Sequence, residues 1–185
     1  DGSVLACVFV DGEAGHDYQP GTPDAPKATL YGGLGEVAAD PSRNCVIVVQ
    51  GTYVEDGLVV PPGVHVWGGY VSGSYGVAPG VRSAVIGGNV GITLKGSGGE
   101  ASLGRLAVQA TAAVGPGKSS IGIVVSGLQQ ALLADLEVTA GAGSSGSPGG
   151  PGLWGKPGSL GENGSKGCNV SPLCGSGGCQ SYADG

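Results

Sequence analysis

A chain of 185 residues with 41 glycines, no methionine and a formal charge of −6 suits one domain with an appendage and does not resemble an ordinary cytosolic enzyme. Residues 1–56 hold nine acids against Lys27 and Arg43, and no basic stripe follows, which argues against nucleic acid and anionic membranes as partners. No apolar run approaches the roughly 20 residues of a membrane span, so no membrane insertion is expected.

In chain order, a strand at Val8 and Val10 runs into an acidic turn segment rich in glycine and proline. Leu30, Leu34, Val37 and Ala38 then fall on one helical face, interrupted by Gly32, Gly33 and Gly35, each of which weakens a helix by about 1 kcal/mol. Such a helix needs an apolar surface to lie on. Short strand-like runs follow: VIVV from Val46, GTY from Gly51, LVV from Leu58 and GVHVWGGY from Gly63 to Tyr70.

Segment 103–110 (LGRLAVQA) aligns with 133–140 (LADLEVTA) at an offset of 30. Leu103/Leu133, Leu106/Leu136, Val108/Val138 and Ala110/Ala140 match, with a further strand ahead of each segment. Stacked layers about 4.8 Å apart would turn these matches into inward ladders, because one layer alone is too exposed to fold. Alternation then places Arg105 beside Asp135 on the outside, as a surface ion pair worth about 0.2–1 kcal/mol.

Glycine occupies every third position over nine triplets from Gly143 to Asn169, with Pro148, Pro151 and Pro157 in the third place. This is the period of polyproline-II chains packed so closely that only glycine fits at the contact. Two geometries are open: a collagen-like stalk of roughly 80 Å shared with two other chains, or polyproline-II runs folded back and anchored by Leu153, Trp154 and Leu160. The low proline content favours fold-back. Three regions result: 1–142, the Gly-X-Y segment 143–169, and a glycine- and cysteine-rich tail 170–185. The abrupt start and end are those expected of a piece of a larger protein.

Five cysteines are disulfide candidates: Cys7 and Cys45 beside strands, and Cys168, Cys174 and Cys179 in the tail, where the spacing is not that of a zinc site. They point to a secreted or cell-surface protein. Their pairing stays open.

The order VDGEAGHDYQPGTPDAPKATL, short helix, VIVVQGTYVE, LVVPPGVHVWGGY resembles the entry to a right-handed parallel β-helix. It is similar to the pectin-lyase-like superfamily, especially to secreted bacterial proteins that open with a G-x-D-x-x-P-G-T segment, here Gly15 to Thr22. The likeness covers residues 8–70. It implies an all-β fold, a right-handed parallel β-helix solenoid with an N-terminal capping helix. It leaves function open among polysaccharide lyases, hydrolases, adhesins and scaffolds.

Candidate chemistry is sparse, and no catalytic set is assigned. Asp11, Glu13 and Asp17 form the one candidate calcium loop, although they lack the EF-hand pattern; the alternative is that they hold turn amides. No other cofactor is implied. His65 and Trp67 share the face opposite Val64 and Val66, and with Tyr70 they form a candidate carbohydrate-stacking surface; the alternative is burial under a neighbouring segment. Asp135 and Glu137 share a strand face at a separation that loosely meets the carboxylate pair of a glycosidase, but surface charge explains them as well. Residues 115–120 (GPGKSS) lack the P-loop spacing and link two strands, so they read as a turn.

The expected function is therefore an extracellular structural or adhesive module without catalysis, with polysaccharide or other cell-surface components as partners and self-association open. The alternatives are a carbohydrate-active β-helix enzyme, either polysaccharide lyase or glycoside hydrolase, and a fibre subunit assembling through Gly-X-Y segments.

Overall fold

The computed structural model describes residues 6–162, in a first compact unit ending at Pro148 and a second beginning at Gly149. Valine, isoleucine and leucine are concentrated in short segments cut by glycine, proline and asparagine turns, and such segments form strands and not helices. The strands are β1 (Cys7–Val10), β2 (Cys45–Val49), β3 (Thr52–Val54), β4 (Val59–Val60), β5 (His65–Tyr70) and β6 (Ser83–Gly87). After them come β7 (Val90–Lys95), β8 (Glu100–Gly104), β9 (Leu106–Ala110), β10 (Ile121–Ser126), β11 (Gln130–Ala134) and β12 (Glu137–Thr139). One helix, α1 (Leu30–Ala39), separates β1 from β2.

The fold is mostly strand, and every pairing between these strands is parallel. The first sheet has the order β1-β2-β5-β8-β11, the second β3-β6-β9-β12 and the third β4-β7-β10. From β2 onward the chain visits first, second and third sheet in that order and then repeats. Strands three apart in sequence thus become neighbours. The offset of 30 is the observed register of the last circuit, where Leu133 pairs with Leu103 and Val138 with Val108.

Inward side chains form ladders across the circuits. Val8, Val46, Val66 and Leu103 align in the first sheet, and Tyr53, Val85 and Val108 in the second, all at most 4% exposed. Complete burial of such a side chain is worth about 1.5–3 kcal/mol. The ladders end at Leu133 and Val138, in the last strand of each sheet, which are 45% and 48% exposed.

The other end is closed by α1, which buries Leu30, Leu34 and Val37 as its apolar spacing requires. Thr29 caps it by accepting from Gly32 N (2.8 Å), and the Glu55 carboxylate, which follows β3, accepts from Leu30 N and Tyr31 N at 2.7 Å each. Two of the glycines that weaken this helix are its points of close approach. A Cβ on Gly33 would lie 2.6 Å from the Val10 side chain, and one on Gly32 would meet the Asp17 carboxylate. The buried Lys27 ties the turn segment to the helix through Glu36 (2.8 Å). The free edge of β1 is covered by residues 21–27, with Phe9 N donating to Gly21 O and Lys27 N to Phe9 O, both at 2.9 Å. Cys7 and Cys45 face each other in register and form a disulfide. Cys168, Cys174 and Cys179 lie outside the described residues.

After β12 the chain runs beside the loop before β10, with Gly141 N donating to Ala110 O (3.0 Å) and Ser144 N to Lys118 O (2.9 Å). The first glycine triplet therefore belongs to the first unit. In the second unit the described residues carry no helix or strand. The expected anchors Leu153, Trp154 and Leu160 are exposed. A Cβ placed on Gly149, Gly152, Gly155, Gly158 or Gly161 would meet nothing within 4 Å.

Candidate functional site

The outer face of the first sheet carries the three residues proposed for sugar stacking. Outward positions align across neighbouring strands as Phe9, Ile47, Trp67 and Gly104, and beside them as Cys7, Cys45, His65 and Ser102. His65, Trp67 and Tyr70 are all half-buried, while Val64 and Val66 point into the core. Trp67 packs against β8, where a Cβ on Gly104 would fall 2.1 Å from the indole. Only glycine leaves room for that ring.

Trp67 and Tyr70 are three residues apart, a spacing that regular alternation sends to opposite faces. Register slips between them: Ile47 pairs with Trp67 but Val49 with Tyr70, so β5 carries one extra residue. Gly69 adopts the left-handed conformation there (φ 74°), and the buried Ser83 hydroxyl accepts from Gly69 N (2.9 Å) while donating to the carbonyls of Val48 and Val49. The bulge brings both rings to one cation. The Arg105 guanidinium carbon lies 4.8 Å from the Tyr70 ring centre and 5.6 Å from that of Trp67, and its Nε donates to Gly68 O at 2.9 Å.

Arg105 is the residue that the sequence pattern misplaces. Arg105 and Asp135 do occupy equivalent corners between the first and second sheets, but both are left-handed (φ 52° and 51°), so alternation does not run through them. Asp135 is held instead by Arg82, at 2.5 Å, and Glu137 lies 3.9 Å from the same guanidinium. Asp135 and Glu137 do not share a strand face: the first is in a corner and the second in β12. His65 Nδ1 pairs with the Ser102 hydroxyl at 2.8 Å.

Asp11, Glu13 and Asp17 sit in the turn segment after β1. Asp11 is buried and accepts from Glu13 N (3.0 Å), Ala14 N (3.1 Å) and the Ser72 hydroxyl (2.5 Å). Burial pushes its carboxyl up, but the Ser72 hydroxyl and the two amides together outweigh that and hold it below 3.8. Asp17 accepts from Ala28 N and Thr29 N at 3.0 Å and from the Thr29 hydroxyl at 2.8 Å, which braces the helix cap. Glu13 is exposed. Among the described residues no three His, Cys, Asp or Glu side chains gather as metal ligands would. Nearby, burial pushes the Tyr53 phenol up to about 12; its hydroxyl donates to Val49 O and accepts from Gly12 N.

The depressions on the first unit are shallow. One of about 280 Å³ between α1 and β4 is lined by Tyr31, Leu34, Ala38, Val59 and Pro61, and Tyr31 is its one titratable group. Another of about 150 Å³ lies on the second sheet beside Ala84, Ala107 and Glu137. Both fall below the 300–1,000 Å³ usual for small-molecule sites. No helix among the described residues is long and apolar enough to cross a membrane. The chain matches no known family model, no curated protein and no solved structure.

Proposed function

We propose that the chain is an extracellular structural or adhesive module, built as a right-handed parallel β-helix with an N-terminal capping helix, that binds glycans through the outer face of its first sheet. The fixed visiting order of three parallel sheets supports the solenoid reading, and the Cys7–Cys45 disulfide supports an oxidising location such as the bacterial exterior. One observation carries the functional reading. Asp11 and Asp17 are engaged by amides and hydroxyls and Asp135 by Arg82, whereas Trp67 and Tyr70 present a half-buried aromatic surface on the outer face of the first sheet.

The test is retention of the purified chain on immobilised cell-surface polysaccharides, alongside assays for product release from acidic polysaccharides with and without calcium. Retention without cleavage is expected. Unsaturated products or new reducing ends would establish the carbohydrate-active enzyme instead.

A second reading, a fibre subunit, has its own support in the second unit. Among the described residues of the second unit, a Cβ on the triplet glycines from Gly149 to Gly161 would meet nothing within 4 Å, which leaves their period for a contact between copies. Light scattering with a circular-dichroism melt decides it. A trimer with a cooperative collagen-like transition supports the fibre, and a monomer overturns it.

A further inference from the structure

We propose that Arg105, set against the rings of Trp67 and Tyr70, is an oxyanion-binding centre that takes the carboxylate or sulfate group of an anionic sugar. The proposal rests on the adhesive reading and names the chemistry of its ligand.

The first unit's other described arginines have a carboxylate partner: Arg43 meets Asp40 at 3.3 Å and Arg82 meets Asp135. Arg105 is half-buried, and among the described residues no carboxylate lies within ion-pair distance of it. Asp135 occupies the equivalent corner of the next circuit but is already held by Arg82, so it leaves Arg105 without a counter-charge. A cation drawn partly out of water gains from an anion brought to it.

The guanidinium is also preorganised. Its Nε is fixed on Gly68 O, two rings restrict its plane, and its backbone corner is set in the left-handed region. Both terminal nitrogens make no hydrogen bond to any described residue, which leaves a planar fork of donors matched to a carboxylate or sulfate. Gly104 lies against Trp67 and the Arg105 guanidinium stands over its ring, so a ligand on this face meets the cation together with the indole. Recognition therefore runs through the cation. His65, on the same face, uses Nδ1 for Ser102 and keeps Nε2 for a sugar hydroxyl.

The chain has two tryptophans, so a Trp154→Phe background leaves Trp67 as the sole indole reporter. Glucuronate, glucose 6-sulfate and glucose are titrated against its emission. We expect a saturable change with the carboxylate, the sulfate or both, which separates the two sources, and none with glucose. Arg105→Asn, a residue that tolerates the left-handed corner, is expected to weaken binding by about tenfold or more. Tyr70→Leu removes one ring without touching the corner and is expected to weaken it less. Titration unchanged in Arg105→Asn, or no saturable change with either anion, overturns the proposal. Retention on neutral polysaccharides that survives Arg105→Asn, with no anion titration, overturns this site while leaving the adhesive reading. Saturable anion titration without retention on any polysaccharide does the reverse.

Discussion

The two ends of the stacked sheets carry the same kinds of side chain at equivalent ladder positions, and only one end is dry. At the first, Val8 and Val46 are fully buried because α1 lies across the core, residues 21–27 cover the edge of β1, and Cys7 is tied to Cys45. At the last, Leu133 and Val138 continue the ladders of Leu103 and Val108 but stay about half exposed. Burial in such a stack is conferred by the next layer and not by residue type. A leucine's worth here depends on which circuit holds it.

That contrast can be broken by experiment. Replacing Cys7 and Cys45 with serine removes a cross-link closing a separation of 38 residues, and is expected to lower the unfolding free energy by about 4 kcal/mol. Urea denaturation checks this; an unchanged midpoint would mean that the capped end does not depend on the cross-link. Next, Leu103→Ala is expected to cost about 3 kcal/mol, because nothing collapses into the gap, and Leu133→Ala about 1 kcal/mol. Equal losses would erase the difference between circuits. Of the same size as Leu133→Ala, Asp11→Asn is expected to cost about 1 kcal/mol at neutral pH by disturbing the amide and hydroxyl contacts of the turn before the cap. The folded-state carboxyl is held below 3.8, so its contribution is complete above that value and is lost as pH falls through the lowered one. The gap between the two proteins should narrow as pH falls through that lowered value, and a gap that stays constant in strong acid would assign the effect to shape and not to charge.

Register was the most legible part of the fold. The 30-residue offset needed nothing beyond matching apolar residues, and the helical face of Leu30, Leu34 and Val37 was equally plain. The opposition of His65 and Trp67 to Val64 and Val66 followed from period two alone. What escaped was everything that interrupts a period. The left-handed corners at Arg105 and Asp135 redirected the expected ion pair to Arg82, and the extra residue at Gly68–Gly69, which sets Tyr70 beside Trp67, was not read as the reason those two rings share a side. Pairs of glycines in strand-like runs are the available sign of such interruptions, and the Gly68-Gly69 step carried it. The glycines of α1 misled in the opposite direction, because a propensity scale counts their entropy and cannot see Val10 beneath them.

The Cys7–Cys45 cross-link also has a mechanical consequence. A chain pulled from its two ends transmits tension through the bond and not through the segment it bridges. The turn segment and α1, roughly 130 Å of extended contour, are thereby shielded from the load. Rupture would begin at the last circuit and peel strands off one layer at a time, and the segment within the bridge would lengthen only after reduction.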